Sequence, residues 1–494
     1  MALPRRSASF NSQGSALSYL CQEQSFAWGA VPMLDRTYGA ASRVSHPPAK
    51  LSGRLAMAAK RVQSRKRDVL PKLARIDEIV INYLDELCDG AFKKGERVPG
   101  VAVAVRSNKK IVHINCYGYA NLETGTKIKP DTVFDLGSLS KQFTAAAIYN
   151  LVIHKQLDIN EPLSNFFFEL PRWAESITVE DLLHHTSSLP EYVDIFEQLK
   201  PRAKGWYNKA LQKPDDWYPG MPNRKRREIT NKDVLEWLAT KKRVRAPDVE
   251  YGYSNSGYVV LAELVERITN QRFAEYVMDT VILGIDEEVQ MRKTYVFDEI
   301  NRFHPDDPET AYHAKCYNRV RGRFVPVGYT PLNFIKGDGN VHSTIRDLAM
   351  WEKFLHSLDY HLPARELLWS PVLIKNRKQV NYGAGWRLLR KKYEGPVKIK
   401  GKVYTRKHEY RGEYHRGEWL GWRSFIGRAS KWVVPAGGKR IDARRAESLG
   451  IIVLSNADFG DKQFTTCRIA QEISKLYLGK WKKDNIMNQF NCEL

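Results

Sequence analysis

The chain has 494 residues, of which 43% are hydrophobic and 11% aromatic, enough to build a folded core and to exclude global disorder. Its net charge of +22 is spread over several stretches without a nucleic-acid-binding motif, so specific nucleic-acid recognition is not expected. No run reaches the roughly 20 apolar residues that span a bilayer, and the six cysteines are too scattered for a disulfide framework or structural zinc site. These features predict a soluble protein, with the cytoplasm as its expected location.

Composition divides the sequence into three parts. Residues 1–70 are rich in Ser, Ala and Arg, which fits a disordered extension, a start codon assigned too early or a transit peptide. One folded domain is predicted over residues 71–480, with a mostly helical lobe inserted roughly at 155–345. Residues 481–494 are expected to form a tail.

The predicted elements follow in chain order. Helical spacing of apolar residues predicts a helix at 74–90, and two β-rich runs at 100–106 and 110–119 form a hairpin signature. A helix then starts at Ser138. Further helices are predicted at 179–183, 230–240, 256–269, 273–283 and 345–358, strands at 382–389, 422–426 and 449–454, and a closing helix at 464–478. This order predicts an α/β (α+β) fold whose antiparallel sheet is built from both ends of the chain.

The segment Ser138-Leu139-Ser140-Lys141 carries the candidate nucleophile. At the start of a helix, positions i and i+3 share a face, so the Ser138 hydroxyl and the Lys141 amine can approach each other. The helix N-terminus favours a developing alkoxide, and the lysine can take the serine proton. A second Ser-x-x-Lys at residues 107–110 falls in the hairpin turn, where this geometry is not held.

Two later motifs supply partners for such a nucleophile. In Tyr253-Ser254-Asn255, a phenol can relay protons and an amide can donate to a substrate carbonyl. In His415-Arg416-Gly417, a side chain on an edge strand can orient the substrate, and the N–H after the glycine can complete an oxyanion hole. Each motif alone is also compatible with an ordinary loop or strand.

The order of the three motifs resembles the serine β-lactamase, penicillin-binding protein and esterase superfamily, specifically its class C-like branch with a His-x-Gly third motif. Three further segments are similar to that superfamily: residues 118–134, 178–190 and 337–339. The resemblance covers roughly residues 75–480. It implies the β-lactamase/transpeptidase-like fold, an antiparallel sheet flanked by helices with a mostly helical lobe.

The resemblance also implies roles. Ser138 would be acylated, Lys141 would be its base partner and Tyr253 would relay protons. Substrate contacts would come from Asn255, His415 and Gly417, and also from Arg416, which could hold a substrate carboxylate. The backbone N–H groups of Ser138 and Glu418 would form the oxyanion hole. His415 stands where β-lactamases have lysine, which weakens the case for efficient β-lactam hydrolysis.

The sequence therefore predicts a serine hydrolase acting through an acyl-enzyme on a small ester, a D-amino-acid peptide or amide, or a β-lactam. Two alternatives remain: a catalytically silent binding protein with this fold, and a basic polyanion-binding protein. The adjacent His184 and His185 diverge on a helix and lack metal-site partners, so no metal and no cofactor are expected. The sequence does not fix the oligomeric state.

Overall fold

A computed structural model describes most of the chain, but not the predicted extension, the tail or most of the loop at 191–227. The described residues are 72–108, 110–193, 229–242, 245–283, 291–298, 312–327, 331–358, 362–399, 402–433, 447–460 and 465–478. Among them, no helix combines the length and apolar character needed to cross a membrane.

The N-terminal part begins with a helix and continues as short strands. Helix α1 spans residues 72–87, and Asn108 lies in the turn of the predicted hairpin with a φ of 55°, a left-handed conformation that asparagine tolerates. The strands are β1 (Val101–Ser107), β2 (Lys110–Tyr117), β3 (Tyr119–Asn121), β4 (Thr126–Lys127) and β5 (Val133–Asp135).

Helices dominate the middle of the chain. They are α2 (Lys141–Ile153), α3 (Val179–Leu183), α4 (Asn231–Ala239), α5 (Asn255–Thr269), α6 (Phe273–Val277) with a π-helical continuation (Met278–Ile282), α7 (Ile345–Leu358) and α8 (Leu362–Leu368). Capping boxes at Thr178 and Thr230 satisfy the first N–H groups of α3 and α4 and so fix where both helices begin.

Strands also occur in this middle part, where the sequence predicted a mostly helical lobe. They are β6 (Tyr295–Val296), β7 (Cys316–Val320), β8 (Arg323–Val327) and β9 (Val341–Thr344). These strands form small three-stranded sheets with β5 and with a late strand, β17 (Ala457–Asp458). Their short, partly polar sequences explain why periodicity did not reveal them.

The C-terminal part supplies most of the large sheet. Its elements are β10 (Val372–Leu373), β11 (Gln379–Val380), β12 (Tyr382–Gly383), β13 (Trp386–Ile399), β14 (Lys402–Trp419), β15 (Trp422–Val433), β16 (Glu447–Ser455) and the closing helix α9 (Thr465–Leu478). The sequence predicted a much shorter strand at 382–389. The basic residues that follow 389 extend β13 to Ile399, and this part of β13 pairs with β14.

The large sheet has seven strands in the order β12-β13-β14-β15-β16-β1-β2, and every pairing in it is antiparallel. Strand β1 from the N-terminal part pairs with β16 from the C-terminal part, so the prediction of a sheet built from both ends is confirmed. One core packs α2 to α7 against one face, and a second core packs α1 and α9 against the other. Alternate residues of each strand therefore enter different cores.

The edge-strand prediction for His415 is only partly right. Strand β14 lies between β13 and β15, but the register with β13 begins at Arg387 and Tyr414. Beyond Tyr414, the pairing of residues 415–419 within the described chain is with β15 alone. This short segment therefore has one open edge, next to the turn that carries Ser138.

Candidate active site

Ser138 lies in a single 3₁₀ turn, Gly137–Ser140, directly before α2. In a 3₁₀ turn, residues i and i+3 eclipse one another, so Ser138 and Lys141 fall on the same side. The Lys141 Nζ atom lies 3.1 Å from the Ser138 Oγ atom. The predicted meeting of the hydroxyl and the amine is present, although the turn is tighter than the α-helical start that the spacing suggested.

Lys141 is fully buried, and its amine has three hydrogen-bond partners. Besides Ser138, these are the Asn255 Oδ1 atom at 2.8 Å and the Asp338 carbonyl oxygen at 2.9 Å. The Asn255 and Asp338 oxygens can accept both N–H groups of a neutral amine, which leaves its lone pair facing the Ser138 hydroxyl. The side chain is therefore held in one position, with one of its three hydrogen bonds directed at the candidate nucleophile.

Asn255 and Tyr253 lie on either side of the residue that caps α5. Ser254 is that cap, because its hydroxyl accepts from the Gly257 N–H, which leaves the Asn255 amide free to bind Lys141. The Tyr253 ring centroid lies 5.0 Å from the Lys141 Nζ atom. The three side chains predicted to form the catalytic group therefore meet at one place, and Asn255 joins them.

His415 lies on the same side of the sheet, but its ring is engaged within the protein. The His415 Nδ1 atom is 2.7 Å from the Arg416 carbonyl oxygen, to which it donates, so Nε2 accepts from the Tyr382 hydroxyl at 2.9 Å. Burial, and then the positive charges of Lys141 and Arg387, hold the pKa of His415 well below its usual value. His415 is thus a neutral ring that accepts a hydrogen bond from Tyr382.

The backbone places Arg416 on the opposite face of β14 from His415. Neighbouring residues of a strand point to opposite faces, and Arg416 pairs with Phe425, whose ring belongs to the second core. Its charge still acts across the strand, where it adds to the forces that lower the pKa of His415. The predicted contact with a substrate carboxylate stays a prediction.

Gly417 allows β14 to approach the nucleophile turn closely. A Cβ atom on Gly417 would lie 2.0 Å from the Leu136 carbonyl oxygen and 2.1 Å from the Ser424 Oγ atom. The Ser424 hydroxyl donates to that same carbonyl at 2.6 Å, which ties β15 to the turn as well. The absence of a side chain at Gly417 therefore brings the backbone at Glu418 beside the turn.

Sequence reasoning missed an aromatic group around the amine. The His185 ring centroid lies 4.4 Å from the Tyr253 ring centroid with the ring planes tilted by 39°, and the His185 Nδ1 atom accepts from the Ser254 N–H at 3.1 Å. Tyr258 lies with its ring centroid 5.6 Å from the Lys141 Nζ atom. The other histidine of the 178–190 segment also binds the backbone: the His184 Nδ1 atom donates to the Tyr382 carbonyl oxygen at 2.7 Å. Both histidines therefore stabilise the local structure.

Two carboxylate residues also lie close to the amine and were not assigned a role from the sequence. The Glu191 carboxylate accepts from the Asn255 N–H at 2.8 Å, and the Asp338 carboxylate accepts from the Tyr192 hydroxyl at 2.9 Å. Asp338 lies inside a segment quoted for the resemblance, and Glu191 directly follows another. Their positions in those segments were the only sequence signal for them.

Among the described residues, no group of three His, Cys, Asp or Glu side chains is arranged to hold a metal ion. Cys88, Cys116 and Cys316 are free thiols, and burial raises the pKa of the first two to about 12. Cys467 is disulfide-bonded, which the scattered spacing of the cysteines did not predict. Ser138, Lys141 and Tyr253 bring a hydroxyl, an amine and a phenol ring together at the site.

Comparison with known proteins identifies the family of this chain from its sequence. The Beta-lactamase family matches residues 82–473. The chain is 25% identical over 308 residues to penicillin-binding protein 4* of Bacillus subtilis (strain 168), an alignment that spans 60% of this chain and 61% of that relative. It is 24% identical over 201 residues to protein flp of Staphylococcus aureus (strain NCTC 8325 / PS 47), spanning 40% of this chain and 35% of that protein. The chain therefore matches only part of the length of these relatives.

Solved structures show the same fold. The octameric penicillin-binding protein homologue from Pyrococcus abyssi superimposes with a TM-score of 0.56 at 22% identity, covering 82% of this chain and 77% of that one. The D-amino acid amidase from Ochrobactrum anthropi SV3 superimposes with a TM-score of 0.52 at 20% identity, covering 81% of this chain and 98% of that one. The chain belongs to the Beta-lactamase family and has the β-lactamase/transpeptidase-like fold of the serine β-lactamase and transpeptidase superfamily.

Proposed function

We propose that this protein is a serine hydrolase that forms an acyl-enzyme at Ser138. The observation that carries the proposal is the 3.1 Å distance between the Lys141 amine and the Ser138 hydroxyl, held by the bonds of Lys141 to Asn255 and to the Asp338 carbonyl. A buried amine fixed against a serine hydroxyl is the arrangement that activates a serine nucleophile. Membership of the Beta-lactamase family supports the same reaction type.

In the proposed acylation, the Ser138 oxygen attacks the substrate carbonyl carbon while its proton passes to the Lys141 amine. A bond forms between the serine oxygen and that carbon, and the carbonyl oxygen takes up the negative charge. When the tetrahedral intermediate collapses, the bond to the leaving alcohol or amine breaks, and that group receives a proton by way of Lys141 and the Tyr253 phenol. The position of the Tyr253 ring, 5.0 Å from the Lys141 Nζ atom, supports assigning this relay to Tyr253.

The negative charge on the carbonyl oxygen needs donors that are already in place. We assign this task to the backbone N–H groups of Ser138 and Glu418, because Gly417 lets β14 approach the nucleophile turn. The open edge at residues 415–419 adds backbone groups that can pair with an extended substrate. The Asn255 amide uses its oxygen to bind Lys141, which leaves its NH₂ as a donor to the substrate.

In the proposed deacylation, water replaces the leaving group. Lys141 or Tyr253 takes a proton from the water, whose oxygen attacks the ester carbon of the acylated Ser138. The carbon–oxygen bond to the serine then breaks and the serine recovers its proton. Another nucleophile at the same position would give acyl transfer instead, and the same residues would serve both reactions.

The proposed substrates are small esters, D-amino-acid peptides or amides, and β-lactams, with esters and amides favoured. A lysine at the third motif would offer a positive charge to an anionic β-lactam, whereas His415 is neutral and has both ring nitrogens engaged. This electrostatic difference lowers the expected rate with β-lactams. A penicillin-binding protein and a D-amino acid amidase among similar proteins are consistent with peptide and amide substrates.

The experiment is covalent labelling of the purified chain with a fluorophosphonate, followed by mass analysis of the peptide that contains residue 138. We expect one adduct on Ser138, and turnover of p-nitrophenyl acetate and a D-amino-acid amide that exceeds turnover of nitrocefin. The Ser138→Ala variant should lose both labelling and turnover. Ser140→Ala is a poor control because the Ser140 hydroxyl accepts from the Val341 N–H at 2.9 Å, so the exposed Ser176→Ala serves instead.

A folded wild-type protein that shows neither a Ser138 adduct nor turnover of any of the three substrates would contradict the proposal. That result would favour the silent binding protein, in which the same side chains hold the fold without reacting. Circular dichroism and a cooperative thermal transition establish that the protein is folded in each case.

A further inference from the structure

The proposed mechanism leaves two buried carboxylate side chains without a task, Glu191 and Asp338. Glu191 holds the backbone N–H of Asn255, the residue whose side chain in turn binds the Lys141 amine. Asp338 offers its backbone carbonyl to the same amine, and its carboxylate is held by the Tyr192 hydroxyl. Asp338 therefore binds the Lys141 amine directly through its backbone, and Glu191 is linked to the amine through Asn255.

Charges of both signs meet around the Glu191 carboxyl group. Besides the uncharged Asn255, the groups that act on it are Asp338 and the Lys141 amine, with the Tyr192 phenol close by and Tyr253 next to that phenol. Asp338 opposes a negative charge on Glu191, and Lys141 favours one. Burial raises the pKa of Glu191 to about 7, and burial also raises the pKa of Asp338. At neutral pH, Glu191 is thus divided between its neutral and charged forms.

We infer that Glu191 is a positioning residue of this site, which fixes Asn255 and whose ionisation controls the charge balance at Lys141. This inference rests on the proposed function, because it gives Glu191 an effect on the reaction at Ser138. In the proposed mechanism Lys141 starts as a neutral amine and becomes an ammonium when it accepts the serine proton, and a negative Glu191 stabilises that ammonium. The reaction at Ser138 therefore becomes faster as the pH rises through the range in which Glu191 ionises.

The test is the rate of fluorophosphonate labelling of Ser138 between pH 5.5 and 9 for the wild type and Glu191→Gln. A glutamine keeps an oxygen that can accept from the Asn255 N–H but cannot ionise, so it imitates the neutral glutamic acid. We expect similar rates for both proteins at the acidic end. Near pH 8, the wild type should react about tenfold faster than the variant, which corresponds to a barrier lower by about 1.4 kcal/mol.

Glu263→Gln is the matched control. Burial raises the pKa of Glu263 to about 7 as well, but the charges that act on it are those of Glu266, Lys336 and Arg267. The labelling rate of Glu263→Gln should therefore depend on pH in the same way as that of the wild type. If the Glu191→Gln profile also superimposes on the wild-type profile, or is lower by one constant factor at every pH, the inference is wrong.

A second measurement separates this inference from the proposed function. The free energy of unfolding is determined at pH 8 for the wild type, Glu191→Gln, Lys141→Met and the double variant. A non-additive result supports a link between the two charges even if Ser138 is never labelled, in which case only the proposed function fails. Additive effects would overturn the inference even if Ser138 is labelled as expected.

Discussion

Gly137 lies directly against the backbone of Glu418: a Cβ atom on Gly137 would fall 2.9 Å from the Glu418 nitrogen. Gly137 also has a φ of 52°, a left-handed conformation that favours glycine. Because Gly137 precedes Ser138, this contact brings the amide of the nucleophile and the amide of β14 to one place. Two glycines, Gly137 and Gly417, thus set the distance between the nucleophile turn and the strand.

Replacing Gly417 by alanine should separate the turn from β14. The new methyl group would overlap the Leu136 carbonyl oxygen and the Ser424 Oγ atom, so the strand must move away. We expect the labelling rate of Ser138 to fall about 100-fold or more, the usual cost of losing an oxyanion donor. Gly252→Ala is the control, since its Cβ would meet no atom within 4 Å. Unchanged labelling in Gly417→Ala would contradict the proposed oxyanion hole.

Replacing His415 by lysine should not create a β-lactamase. The ammonium group would be buried close to the positive charges of Lys141 and Arg387, which already oppose a charge on His415. The Tyr382 hydroxyl would also lose its acceptor. We expect the variant to lose about 2 kcal/mol or more of unfolding free energy and to gain no nitrocefin hydrolysis. A stable variant with faster nitrocefin turnover would contradict this prediction, because it would show that the site accepts a buried ammonium at this position.

The pH dependence of stability should report the neutral state of His415. Its folded-state pKa is lowered, so the unfolded chain binds a proton that the folded chain does not, and the stability contributed by His415 is lost as the pH falls below about 6.5. Relative to His415→Gln, the wild type should lose about 1.4 kcal/mol of unfolding free energy per pH unit in that range. Denaturant titrations between pH 7.5 and 5 measure this difference, and a constant difference would contradict it.

A buried ion pair away from the nucleophile should matter for stability alone. Glu352 accepts from the Arg106 Nη2 atom at 2.7 Å and is also bound by Arg106 Nε, and these charges lower its pKa despite its burial. Glu352→Gln should therefore cost about 3–5 kcal/mol of unfolding free energy near neutral pH. The difference should shrink as the pH falls through the lowered pKa, where the wild-type carboxylate gains a proton.

The same variant also separates folding from chemistry. The labelling rate of Ser138 in folded Glu352→Gln should equal that of the wild type, because the ion pair joins α7 to β1 and does not contact the candidate site. A large drop in labelling without a drop in stability would mean that this side of the sheet influences the reaction.

Much of the local structure was predictable because it depends on local signals. The helices Val179–Leu183 and Ile345–Leu358 begin and end where the sequence predicted, since each combines an N-terminal capping pattern with a regular apolar face. Strand Lys402–Trp419 was not predicted in full because its charged residues hide the alternation of a strand, and its pairing with β13 is a tertiary property. A strand of this kind can be recognised only when the strand that it pairs with is known.

The candidate site was predictable where a contact joins two residues of the same short motif. The spacing of Ser138 and Lys141 determines their distance, whereas the contacts of Glu191 and Asp338 join residues far apart in the sequence. The state of His415 depends on Tyr382 and on burial, neither of which the His-x-Gly motif records. Charge state and long-range positioning therefore required the structure.

The pairing of β1 with β16 affects how the chain can be made. Val101 lies opposite Ser455, so a ribosome must have synthesised the chain as far as Ser455 before β1 gains this neighbour. Until then, the edge of an apolar strand, with Val101, Val103 and Val105 all fully buried in the finished protein, stays open to other chains. The nascent protein is thus most exposed to aggregation during synthesis, when protection by a chaperone would matter most.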